Sequence, residues 1–99
     1  MVSFIETKLI SRLLADYLTD DQYGLLQAAL SKSPEEGGSG GVRKVRWAQP
    51  GRGKRGGIRV IYYAKIREGV IWMLTIYAKN DEENIPAHVL RKIKEEIDG

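Results

Sequence analysis

The chain has 99 residues, 42% of them hydrophobic and 29% charged, with 16 Lys and Arg against 13 Asp and Glu for a net charge of +3. That length holds one domain with one modest core, and the lack of cysteine excludes a disulfide framework, a thiolate nucleophile and a Cys-rich zinc site. No apolar run approaches the ~20 residues of a membrane helix, and the start MVSFIETK lacks the basic and apolar regions of a signal peptide, so the chain reads as a complete cytosolic protein.

Val2 to Glu6 alternates weakly and suits a short edge strand. Residues 8 to 18 place Leu9, Ile10, Leu13, Leu14, Tyr17 and Leu18 at helical spacing. Thr19 opens T-x-x-Q with Gln22, a capping box in which each side chain satisfies a free backbone amide. A second helix follows, its inward residues expected to be Leu25, Leu26, Ala29 and Leu30, and the two helices should form a hairpin. Ser33-Pro34 stops it, because proline lacks the amide and restricts the residue before it. After the glycine-rich GGSGG (37 to 41), Val42 to Ala48 reads as a strand and Pro50 to Gly57 as a loop. Ile58 to Ile66 and Val70 to Lys79 read as a hairpin turning at Glu68-Gly69. Pro86, after Asn84, opens a last helix with Val89, Leu90, Ile93 and Ile97 on one stripe.

Strict alternation puts Ile58, Val60, Tyr62 and Ala64 on one face, and Arg59, Ile61 and Tyr63 on the other. In the last strand it groups Ile71, Met73, Thr75, Tyr77 and Lys79 against Val70, Trp72, Leu74 and Ile76. The apolar sets suit a surface under helices. The mixed residues Arg59, Tyr63, Tyr77 and Lys79 suit an open one. Tyr62 and Trp72 read as core or near core, and Trp47 fits either side. Arg59 stands out: an arginine between Ile58 and Val60 is tolerated only if it faces solvent or a ligand.

Residues 37 to 67 hold nine of the 16 cations and no acid. Arg43, Lys44, Arg46, Arg52, Lys54, Arg55, Arg59, Lys65 and Arg67 are interleaved with Trp47, Tyr62 and Tyr63. Cations beside flat rings suit a polyanion with stackable bases, single-stranded RNA above all. GRGKRGG (Gly51 to Gly57) is not a Walker A motif; it reads as a connecting loop whose Lys54 and Arg55 touch phosphate. His88, the single histidine, lies outside the basic segment and reads as a surface residue. No His, Asp and Glu cluster has metal-ligand spacing; Asp81, Glu82 and Glu83 suit a helix N-terminus.

The succession GGVRKVRW, GRGKRGGIRVIYY and MLTIYAKNDEE, with the opening FIETKLISRLLADYLTDDQYGLLQAAL, resembles the HigB-like branch of the RelE/ParE superfamily of bacterial toxins, over nearly the whole chain. The resemblance implies an α+β fold: a small twisted antiparallel sheet, two N-terminal helices packed on it and a C-terminal helix. It implies the toxin of a type II toxin-antitoxin system, a ribosome-dependent messenger RNA endonuclease acting without metal or cofactor. An antitoxin, often of helix-turn-helix type, would hold it inactive. Arg59 falls where such toxins place a catalytic arginine. Lys54 and Arg55 fall in the basic loop with Arg52, and Arg43, Lys44 and Arg46 in the basic strand. Lys79 and Asn80 fall at the lysine-arginine pair ending the last strand, Asn80 standing for arginine. The family's C-terminal tyrosine lacks a counterpart, and Tyr63 or Tyr77 is the candidate substitute.

One departure is larger. Ser33-Pro34-Glu35-Glu36 runs straight into GGSGG, where relatives carry a longer connection, so the loop is shortened, either naturally or by design. The expected reaction is attack of an RNA 2′-hydroxyl on the adjacent phosphate. Arg59 would stabilise the transition state, Lys54 or Lys79 would take a proton, and Tyr77 would assist. Arg43, Lys44, Arg46, Arg52, Arg55, Tyr63 and Asn80 would hold the RNA. Two rival readings stand beside it: a non-catalytic, loop-shortened scaffold that binds RNA or protein, and a basic face that docks only an acidic partner.

Overall fold

The computed structural model describes residues 2–32, 42–48, 57–78, 91–93 and 95. Strand β1 (Ser3–Glu6) leads into helix α1 (Lys8–Tyr17) and helix α2 (Asp20–Lys32). Strands β2 (Val42–Trp47), β3 (Ile58–Lys65) and β4 (Val70–Ala78) follow, with a 3-10 turn (Ile66–Glu68) between the last two. Residues 91–93 are helical. The fold is α+β, as the resemblance implies. The sheet order is β1-β4-β3-β2. β2, β3 and β4 are antiparallel neighbours, while β1 joins the edge parallel to β4, so the sheet is mixed rather than wholly antiparallel. Gly69 turns the hairpin at φ 68, a conformation that costs glycine little, and its carbonyl accepts from Ser3 N–H at 2.8 Å, tying β1 to that turn.

Local chemistry sets the helix ends. Thr7 caps α1, its hydroxyl accepting from Ile10 N–H at 3.1 Å. Leu18 then leaves the helix with extended backbone. The capping box forms as the sequence predicts: Gln22 N–H donates to Thr19 Oγ1 at 3.2 Å, and Thr19 N–H donates to Gln22 Oε1 at 2.8 Å. Asp20 and Asp21 lie in the first turn of α2 and Lys32 in its last, each complementing the helix dipole.

The helices cover one face of the sheet. Ile10, Leu18, Leu26 and Leu30 pack there against Ile58, Val60, Tyr62, Ala64, Ile71, Met73 and Ile76. Each fully buried large side chain contributes about 1.5–3 kcal/mol. The apolar stripe of α2 differs from the expected one: Leu25 stays 65% exposed and Ala29 is exposed, because α2 meets the core through Tyr23, Leu26 and Leu30. Trp47 and Val45 border this core, which settles Trp47 on the helix side.

The parity of β4 departs from strict alternation. Ile61 pairs with Thr75 but Tyr62 with Met73, so Leu74 is an extra residue in the strand, a β-bulge. A one-residue insertion exchanges the faces beyond it. Ile71 and Met73 therefore share the helix side with Ile76, whereas Thr75 and Tyr77 lie with Trp72 and Leu74 on the other. The expected grouping of Tyr77 with Ile71 and Met73 is corrected accordingly. Thr7 holds the bulge: its hydroxyl donates to the Leu74 carbonyl at 2.7 Å, and its N–H donates to the Met73 carbonyl at 3.1 Å.

Candidate nucleic-acid interface

The second face of the sheet is built from alternate residues of β2, β3 and the bulged β4. Directly paired residues share a face. The register therefore sets Arg46, Arg59 and Tyr77 in one row across three strands, with Lys44, Ile61 and Thr75 in the next. Val42, Tyr63 and Trp72 form the row after that. Five residues singled out from the sequence thus come together: Arg59, Arg46, Lys44, Tyr63 and Tyr77.

Arg46 and Arg59 stand directly opposite one another. Like charges in that position destabilise a sheet. Arg46 is exposed and Arg59 half-buried. Arg59 Nη1 reaches only a long bond, 3.5 Å, to the carbonyl of Ile58. The guanidinium lies beside Gly57, where an added Cβ would come within 3.6 Å of Nη1 and 3.7 Å of the Trp47 carbonyl. Both are ordinary van der Waals distances, so a Cβ at 57 would touch this arginine without displacing it.

Tyr77 is 7% exposed. It packs with Ile61, Leu74 and Ile93 in a second cluster bordered by Leu9, Tyr63 and Trp72. The helical residues at 91–93 thus seat Ile93 on the middle of this face, and Tyr77 supports the row from within. Arg43 is not brought to the face. It pairs with Tyr62, so it lies on the helix side, and it is 6% exposed. Its odd spacing from Arg46 already requires opposite faces in a regular strand, a signal present in the sequence.

Lys54, Lys79, Arg52, Arg55 and Asn80 lie outside the described residues, as do GGSGG, Pro86, His88 and Asp81 to Glu83. The described residues on either side of 49–56, Ala48 and Gly57, flank the Arg46–Arg59 end of the sheet. Ala78, which precedes Lys79, pairs with Ile58 at the same end.

Sequence reasoning left Lys65 and Arg67 out of the site. They meet Tyr63 and Glu68 around an open depression of about 430 Å³ at the β3–β4 turn. Lys65 Nζ sits 5.9 Å from the centre of the Tyr63 ring and 3.9 Å from Glu68 Oε2. The i, i+2 spacing of Tyr63, Lys65 and Arg67 was the available signal. Among the described residues no group of three His, Cys, Asp or Glu could hold a metal ion, and no helix is long and apolar enough to cross a membrane.

A family model described as the RelE toxin of the RelE / RelB toxin-antitoxin system matches residues 7–97.

Proposed function

The chain belongs to the RelE toxin family of toxin-antitoxin systems, and on that premise we propose that it is a HigB-like, ribosome-dependent messenger endoribonuclease. The observation that carries the reading is the opposed pair Arg46 and Arg59 on the face that α1 and α2 leave open. The repulsion between two arginines paired directly across neighbouring strands is relieved by an anion, and each offers a planar fork that matches phosphate oxygens.

In this reading the RNA 2′-hydroxyl attacks the adjacent phosphorus. A bond forms from O2′, the bond to the 5′ oxygen breaks, and the products are a cyclic phosphate and a 5′-hydroxyl. Arg59 clamps the non-bridging oxygens as charge builds on them, and Arg46 holds the flanking backbone. Lys44 adds a further phosphate contact. Lys54 or Lys79, uncharged, takes the 2′ proton, and the departing 5′ oxygen gains a proton from water; Arg52, Arg55 and Asn80 lie along the backbone, and each of these residues is joined by short chain to the end of the sheet that bears Arg59. The burial of Tyr77 supports a role beside Arg59 as a fixed support rather than as a proton carrier. Catalysis of this kind rests on positioning, which the ribosome supplies by holding the messenger in line, so free RNA is a poor substrate. The partner that restrains the toxin is an antitoxin, by the branch resemblance one of helix-turn-helix type.

The test is inducible bacterial expression of the chain beside Arg59→Ala, with messenger 5′ ends mapped and folding checked by thermal melting. Cuts within translated codons should fall by about 100- to 1,000-fold in the variant, the loss typical of one transition-state donor. Equal cutting by a folded Arg59→Ala protein would overturn the assignment. Normal growth and no cuts from the parent chain would leave a non-catalytic scaffold.

A further inference from the structure

At the other end of β3 from Arg59 lies a group that the catalytic reading does not use. Tyr63 and Lys65 point to the same face as Arg59 but stand four and six residues further along the strand. At a strand's rise, six residues span about 20 Å. Ile93 sits on Ile61, Leu74 and Tyr77 between the two ends, so the depression at Tyr63, Lys65, Arg67 and Glu68 is separate from the Arg46–Arg59 row.

Its chemistry is mixed, and that narrows the ligand. A bare anion would meet Lys65 and Arg67 but be opposed by Glu68. A cation would meet the reverse. An apolar segment would leave three charges unsatisfied. A nucleotide satisfies every group at once. Its base lies on the Tyr63 ring, its phosphate between Lys65 and Arg67, and an amino group of the base donates to Glu68. Cytosine, adenine and guanine carry such an amino group, and uracil does not. The volume of about 430 Å³ is ample for one nucleotide. The Lys65–Glu68 pair, at 3.9 Å with Glu68 64% exposed, is weak enough to open.

We propose that the β3–β4 turn is a second RNA contact, a nucleotide subsite formed by Tyr63, Lys65, Arg67 and Glu68 that anchors a strand remote from the scissile phosphate and disfavours uracil. It rests on the RNA reading of the Arg59 face, and deepens it. The nucleotide comes either from the messenger itself or from ribosomal RNA.

The experiment uses isotope-labelled full-length Arg59→Ala protein titrated with AMP, CMP, UMP and inorganic phosphate, followed by amide shifts. AMP and CMP should move resonances from Tyr63 to Gly69, UMP at least about fivefold more weakly. Lys65→Gln with Arg67→Gln should abolish the shifts. Tyr63→Leu should weaken binding by about fivefold or more, and Glu68→Ala should remove the discrimination against UMP. Equal shifts by phosphate alone, none at this turn, or displacement only by an acidic peptide would overturn the proposal.

Sedimentation with ribosomes carrying or lacking messenger separates the two sources. Dependence of the Lys65→Gln, Arg67→Gln effect on messenger assigns the subsite to the messenger, and its persistence without messenger assigns it to ribosomal RNA. Retention of the variant equal to that of the parent chain on both kinds of ribosome overturns the anchor. If nucleotides bind here while the parent chain cuts nothing, the anchor stands and the nuclease reading falls. If cutting needs Arg59 but KM is indifferent to Lys65 and Arg67, the reverse holds.

Discussion

Thr7 serves two elements with one hydroxyl. It is fully buried, accepts from Ile10 N–H at the start of α1, and donates to the carbonyl of the bulged Leu74. A bulge leaves a ladder group without its usual partner, and Thr7 supplies one. Thr7→Val should lower stability by about 1–3 kcal/mol, from a lost cap and a buried carbonyl left bare. Thr7→Ser should recover most of it, with urea midpoints as the check. Nothing near Thr7 in sequence announces this role, since its partner lies 67 positions away. The capping box of Thr19 and Gln22 was legible because both halves lie within one turn. The placement of Arg59 on the face away from α1 and α2 was legible because a charge between Ile58 and Val60 conflicts with an apolar core. The faces of Thr75 and Tyr77 were not, since a single inserted residue shifts parity without any local mark.

Helix α2 is held by hydrogen bonding as well as by packing. Tyr23 donates to Glu6 Oε2 at 2.9 Å, and Ser11 donates to Glu6 Oε1 at 2.6 Å, so one carboxylate ties β1 to both helices. Burial, and then the bond to Glu6, raises the Tyr23 pKa. Below pH 10 the phenol is protonated in folded and unfolded chains alike, and its contribution is whole. Above that the unfolded chain ionises first, so stability declines as pH climbs. Tyr23→Phe should cost about 1 kcal/mol at neutral pH and flatten that alkaline decline, read as melting temperature against pH. The next residue, Gly24, is exposed, and an added Cβ would meet nothing within 4 Å. Gly24→Ala should therefore stabilise α2 by about 0.5–1 kcal/mol, seen as a raised thermal midpoint. Element positions and the β3–β4 hairpin were legible from periodicity. The exposure of Leu25 was not, because only the sheet beneath decides how wide a helical stripe is covered.

Across the whole molecule, the sheet divides labour between its faces. One carries α1, α2 and most of the burial, and the other carries Lys44, Arg46, Arg59, Tyr63 and Lys65. A net charge of only +3 is thus concentrated where a phosphate chain can use it. Affinity for RNA-bearing ribosomes should fall steeply with salt, and Arg46→Ala should lower the log–log slope by about one. Arg43→Ala should leave that slope unchanged, since Arg43 lies on the helix side. A common slope for both variants would contradict the division of faces.

The parallel pairing of β1 with β4 also sets a timetable. The first strand made must wait for the last strand of the sheet, and the bond from Thr7 to Leu74 waits with it. At about 5–20 residues per second that interval is about 3–13 s. Until β4 emerges, Arg59 has no Tyr77 beside it, and the face it belongs to has no fixed parity. The face that carries Arg59 is therefore incomplete while the chain is being made, and it is finished only when the sheet closes.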